Sequence, residues 1–166
     1  MKQKIPIVNE KDEIICFKER SEIKRKDIYR VSALWITNKK GEILLAKRAI
    51  TKKHSPGKWG PAVAGTVEEG ETYDSNIIKE AEEELGITNA KFRKGPKDPP
   101  YEHEKHKMFC QWYFFETDMD LDDFKIQEEE VDELRWITKE ELDKEIINNP
   151  SIFIESMKED MDVLYK

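Results

Sequence analysis

The sequence predicts an α+β domain, on three observations: short strand-like runs fill the first half of the chain, one strongly periodic helix begins near residue 74, and two further helical patterns follow the last strand-like run. A chain of 166 residues is the size of one ordinary domain. Residues 1–166 are therefore expected to enclose one core.

The elements follow in order. Residues 5–10 and 14–20 are apolar-rich runs joined by the polar Lys11-Asp12-Glu13, which reads as an N-terminal β-hairpin; a charged connector carries the chain to residue 30. Residues 30–38 and 42–48 form a second hairpin across the turn Asn38-Lys39-Lys40-Gly41. Residues 51–61 have loop composition, with two prolines and two glycines. A short strand is predicted over 61–67, a helix over 74–85 stopped by Gly86, a loop over 95–100 and an aromatic strand over 107–116. Residues 118–123 read as an acidic turn and 131–137 as the last strand. Helices over 138–166 close the chain, the first opened by Thr138 and Glu141 at capping-box spacing.

Composition excludes several classes. Formal net charge is −7, from 36 acids against 29 bases, so no whole-molecule positive field exists for gripping nucleic acid. A polyphosphate ligand must meet a local basic patch or a metal ion. No run approaches the ~18 apolar residues of a membrane span, and the first residues lack the apolar core of a signal peptide. These features predict a cytoplasmic protein with neither membrane nor nucleic-acid partner. Cys16 and Cys110 lack C-x-x-C spacing and are expected to be reduced core thiols.

The helix carries the chemistry. With Glu80 at 0° on the helical wheel, Glu83 and Glu84 fall within an arc of about 100°, while Ile77, Ile78, Ala81 and Leu85 occupy the adjoining sector. The three carboxylates repel one another. Either they form a solvated face, or a divalent cation compensates them. Hard oxygen ligands that leave room for water suit Mg²⁺ or Mn²⁺.

The full spacing weighs toward the cation. Gly65, five residues, Glu71, seven residues, Lys79-Glu80-Ala81, one residue, Glu83-Glu84, one residue, Gly86 and Ile87 resembles the Nudix box, here residues 65–87. Lys79 stands where that family has Arg, and Ala81 where it prefers a larger aliphatic. The resemblance implies a Nudix fold, a mixed β-sheet sandwiched between helices. It also implies that Glu80, Glu83 and Glu84 are the catalytic metal ligands, that the carbonyl of Ala64 adds a further ligand, and that Glu71 is a structural partner of Lys79. The reaction implied is attack of water on a diphosphate linkage.

Outside the box, Val8-Asn9-Glu10, Trp35, Ser55-Pro56-Gly57-Lys58-Trp59 and Glu130-Val131-Asp132-Glu133-Leu134-Arg135-Trp136 are similar to the branch shared by type I isopentenyl-diphosphate isomerase and its hydrolase relatives. The isomerase needs Cys before the box glycine and His after it. This chain has Ala64 and Thr66, and no His between Glu22 and Trp35.

The expected function is thus a Mg²⁺-dependent pyrophosphohydrolase acting on a small nucleoside diphosphate derivative or a nucleoside triphosphate. The alternatives are the isomerase and a Nudix module that binds a nucleotide without cleaving it. Arg48, Lys52, Lys53 and Lys58 are candidate phosphate contacts or plain solubilising side chains. Trp59 stacks on a base or packs in the core. His103 and His106 read as a weak zinc pair or a solvated loop, with Glu102 or Glu104 as a candidate base. Among Glu128, Glu129, Glu130 and Glu133, one ligand outside the box is the alternative to an acidic loop. The aromatic run 108–115 reads as a buried strand, with homodimer contact or base recognition as alternatives.

Overall fold

The computed structural model describes residues 2–103 and 106–166. Glu104, Lys105 and the His103 side chain lie outside that description, and with them the His103/His106 zinc pair and Glu104 as a base.

β1 (Lys4–Val8) and β2 (Ile14–Glu19) form the N-terminal hairpin. Asn9 closes its turn by accepting from the Lys11 and Glu13 amides at 2.9 and 3.0 Å, while Asp12 takes a left-handed φ of 63°. β2 lies at the end of the strand path and most of its side chains are exposed. Cys16 is exposed with them, against the expectation of a core thiol, whereas Cys110 is buried.

β3 (Ile28–Thr37) organises the sheet. It pairs antiparallel with β1, β4 (Ile43–Arg48) and β6 (Val63–Thr66), and parallel with β9 (His106–Glu116) from Ile28 opposite Lys107 to Thr37 opposite Glu116. β5 (Trp59–Pro61) and β10 (Val131–Ile137) pair with β4; β7 (Arg93–Lys97) and β8 (Tyr101–His103) pair with β9. The sheet is therefore mixed, as expected.

Side-chain alternation along β3 sends the strand to two cores. Leu34 and Ile36 pack with Ile77, Ala81 and Leu85 of α1 (Tyr73–Leu85) on one face. Ala33 and Trp35 pack on the other with Leu142 of α2 (Lys139–Asn148) and Met157 and Met161 of α3 (Met157–Leu164). Helices thus cover both faces. Thr72 caps α1 by accepting from the Ser75 amide at 3.1 Å, and Gly86 ends it at φ 68°. Thr138 and Glu141 form the capping box that their spacing predicts.

Three local expectations change. The strand predicted over 61–67 is β6, while the end of the predicted loop over 51–61 forms β5, because the chain changes partner from β4 to β3 across Ala62. The loop over 95–100 begins as β7, whose bulged pairing with β9 obscures its period; a Cβ on Gly95 would lie 2.4 Å from the Phe114 ring. Ile78, at the edge of the helix's apolar sector, is 54% exposed.

Candidate active site

Gly65, in β6, brings the backbone against α1 so closely that a Cβ there would meet Glu80 Cγ and Cδ at 2.4 Å. Asn76 holds the two together. It is fully buried, accepts from Ser32 Oγ, and donates to Thr66 O at 3.1 Å and Glu71 Oε2 at 2.9 Å. Sequence reasoning missed Asn76; the available signal was a lone amide one turn before Glu80, within the acidic arc of the helix.

Lys79 lies among three carboxylates: its Nζ is 2.6 Å from Glu71, 3.4 Å from Glu68 and 3.5 Å from Glu80. Burial by itself would lower the ammonium's pKa, but these acids raise it above the usual lysine value. Burial likewise acts to raise Glu71, and Lys79, the Glu68 amide and Asn76 bring it below the ordinary range.

Glu80 and Glu84 are shifted the other way. Burial raises Glu80, with Glu83 adding to the effect and Lys79 opposing it. Glu84 is 7% exposed and stands well above the ordinary carboxylate value, first through burial and then through repulsion from Glu80 and Glu130; Lys52 and Arg48 oppose this. Glu83 is exposed at the rim.

All three glutamates, with Ala64, Arg48, Lys52, Lys53 and Glu130, line one cleft of about 1030 Å³. Arg48 Nε donates to His54 O at 2.9 Å, and Lys52 pairs with Glu130. Glu130 is the member of the acidic run 128–130 that reaches the cleft. Glu133 instead pairs with Lys47 at 3.7 Å.

Two expected substrate contacts lie elsewhere. Trp59 is 8% exposed, packed in the α2/α3 core with the Arg135 guanidinium 4.5 Å from its ring centroid, so it does not line the cleft. Lys58 is drawn away by its bond to the Ser151 carbonyl. Glu102 is held by Arg25, and His106 lies in the cleft wall, its ring centroid 5.0 Å from that of His54.

As the side chains stand, no three His, Cys, Asp or Glu among the described residues converge closely enough to hold a metal ion. The donor chemistry nonetheless fits one. Glu84 is desolvated in the same cleft as Glu80 and Glu130, whose charges bear on it, and a divalent cation with oxygen ligands would offset that repulsion.

A model of the NUDIX domain matches residues 27–156. An uncharacterized Nudix hydrolase of Listeria monocytogenes is 35% identical over 123 residues, covering 70% of this chain and 68% of that protein. The chain belongs to the Nudix hydrolase family. Among solved structures, DR0079 from Deinococcus radiodurans superposes on this Nudix chain with a TM-score of 0.86 at 22% identity, over 98% of this chain and 99% of that one. A bifunctional NMN adenylyltransferase/ADP ribose pyrophosphatase from Francisella tularensis, complexed with AMP and a Mn ion, matches at TM-score 0.60 and 19% identity, over 81% of this chain and 40% of that one. These likenesses establish the Nudix fold.

Proposed function

We propose that this Nudix hydrolase is a cytoplasmic pyrophosphohydrolase dependent on Mg²⁺ or Mn²⁺, cleaving a diphosphate linkage in a nucleoside diphosphate derivative or a nucleoside triphosphate. One observation carries the reading: Glu84 is buried in the cleft among like charges, with Arg48 and Lys52 opposing them. The AMP and Mn ion held by the Francisella neighbour support it.

Glu80, Glu83 and Glu84 would hold the cation, with the Ala64 carbonyl as a further ligand. When bound, the cation neutralises phosphate charge and lowers the pKa of a water. Arg48, Lys52 and Lys53 orient the diphosphate by charge-assisted hydrogen bonds. A cleft glutamate accepts the proton that the attacking water gives up. Ala64 and Thr66 offer no acid/base pair for allylic proton transfer, which sets the isomerase aside.

The test is phosphate release, coupled to a phosphatase, from a panel of nucleoside diphosphate conjugates and triphosphates with Mg²⁺. Turnover of at least one compound, abolished by EDTA, is expected. Tight nucleotide binding without turnover of any compound points instead to a binding module.

A further inference from the structure

The cleft extends well beyond the glutamates. Its floor is the sheet face made by Val31 and Ala33 of β3 and their parallel neighbours Cys110 and Trp112 of β9, with Met108 beyond. This floor is apolar, with Trp112 as the aromatic residue among these five. At its edge α3 contributes Asp160, only 4% exposed, and the chain just before α3 contributes Ser156, 7% exposed; both line the cleft. Nothing in the hydrolytic chemistry uses them.

A carboxyl buried to this degree on an apolar wall is costly unless it is paired. Ser156 Oγ donates to Asp160 Oδ2 at 2.9 Å, which fixes the group and leaves Oδ1 for another donor. A second buried acid, Asp98, lies on the same side and accepts from Trp112 Nε1 at 3.0 Å, so the indole donor is already used. The charges bearing on Asp160 are Asp98 and Glu159, both acids. This end of the cleft therefore repels phosphate and attracts an N–H group. A planar ring suits the floor, since it loses its hydration to apolar side chains while its edge meets the acid.

Resting on the nucleotide reading above, we propose that this end of the cleft is the base subsite, and that Asp160, steadied by Ser156, selects a nucleobase carrying an exocyclic amino group by accepting one of its hydrogens. Adenine and cytosine carry that group at the edge where hypoxanthine and uracil carry a carbonyl. With Asp160 ionised, a carbonyl facing Oδ1 sets acceptor against acceptor, whereas the protonated acid would donate to it.

The experiment is calorimetric binding of AMP, IMP, CMP and UMP at pH 8.5, where Asp160 is ionised, in EDTA so that no turnover intervenes, to the wild-type protein and to Asp160→Ala. Wild type should bind AMP over IMP and CMP over UMP by roughly tenfold, the size of one buried hydrogen bond. In Asp160→Ala the preference should fall to within about twofold. Equal wild-type binding within each pair overturns the assignment whether or not the variant folds, and so does a preference that survives in a folded variant. Equal binding of all four bases leaves the hydrolase reading standing. Failure of wild type to bind any of them overturns the nucleotide reading as well.

Discussion

The Lys79 ammonium lies 2.6 Å from Glu71 Oε1, with Glu68 and Glu80 within 3.5 Å, so one cation serves three acids where the box meets its helix. Removing it leaves three partly buried carboxylates facing one another. Lys79→Ala is expected to cost about 2 kcal/mol in urea unfolding at neutral pH. Lys79→Arg, whose planar fork meets two carboxylates at once, should match or exceed wild-type stability. An alanine variant as stable as wild type removes the cluster from any structural role.

Gly65→Ala tests the close approach of the box loop to α1. The added Cβ falls on Glu80 Cγ and Cδ at 2.4 Å, and a side chain yields more readily than the backbone. Stability should fall by about 1–2 kcal/mol, while turnover falls at least tenfold, roughly 1.4 kcal/mol of barrier, because Glu80 is displaced. Thermal melts and steady-state rates measured together separate the two effects. A variant that melts early yet keeps its rate contradicts a role for Glu80 in the reaction.

Glu84 makes stability depend on pH. Its folded pKa is raised, so its contribution to stability is complete below the ordinary carboxylate value and is lost as pH rises through the folded value. In EDTA at pH 8, well above the ordinary carboxylate value, burying this group is a burden whether it holds its proton or ionises. Glu84→Gln should stabilise the metal-free protein there by about 1–2 kcal/mol, and cut turnover roughly a hundredfold or more. Mg²⁺ should raise the melting temperature of wild type and leave the variant nearly unmoved. An equal Mg²⁺ response in both proteins removes Glu84 from the metal site.

Asp160 makes a second pH-dependent term. Burial pushes its carboxyl up to about 7 from an ordinary 3.8, with Asp98 and Glu159 adding and Ser156 opposing. Below the ordinary value the group is protonated in both folded and unfolded chains. Between the two values the unfolded chain ionises first, so stability declines, and above about 7 the loss is complete. Asp160→Asn should flatten this decline and gain about 2 kcal/mol at pH 8. Urea midpoints from pH 5 to 8 measure it; parallel curves for the two proteins contradict the burial argument.

What the sequence determined by itself lies within single elements. The helix over 73–85, its Gly86 stop, its acidic face and the Thr138 capping box are all written in spacing over a few residues. A 3.6-residue period and cap chemistry need no distant partner to be read. Family membership was legible for the same reason, since residues 65–87 carry a fixed pattern of residue types.

Only the tertiary structure decided which separate elements meet. Trp59, open between base stacking and core packing, entered the core because β5 docks on β4 and Arg135 covers its ring. Lys58 left the phosphate cluster for the Ser151 carbonyl of the segment before α3, and Asp160 entered the cleft from that helix. Parallel pairing of β3 with β9 set Trp112 and Cys110 beside Ala33 and Val31, and so made the floor. Such contacts join residues tens of positions apart, and their energies depend on packing and loss of water, for which local periodicity carries no signal.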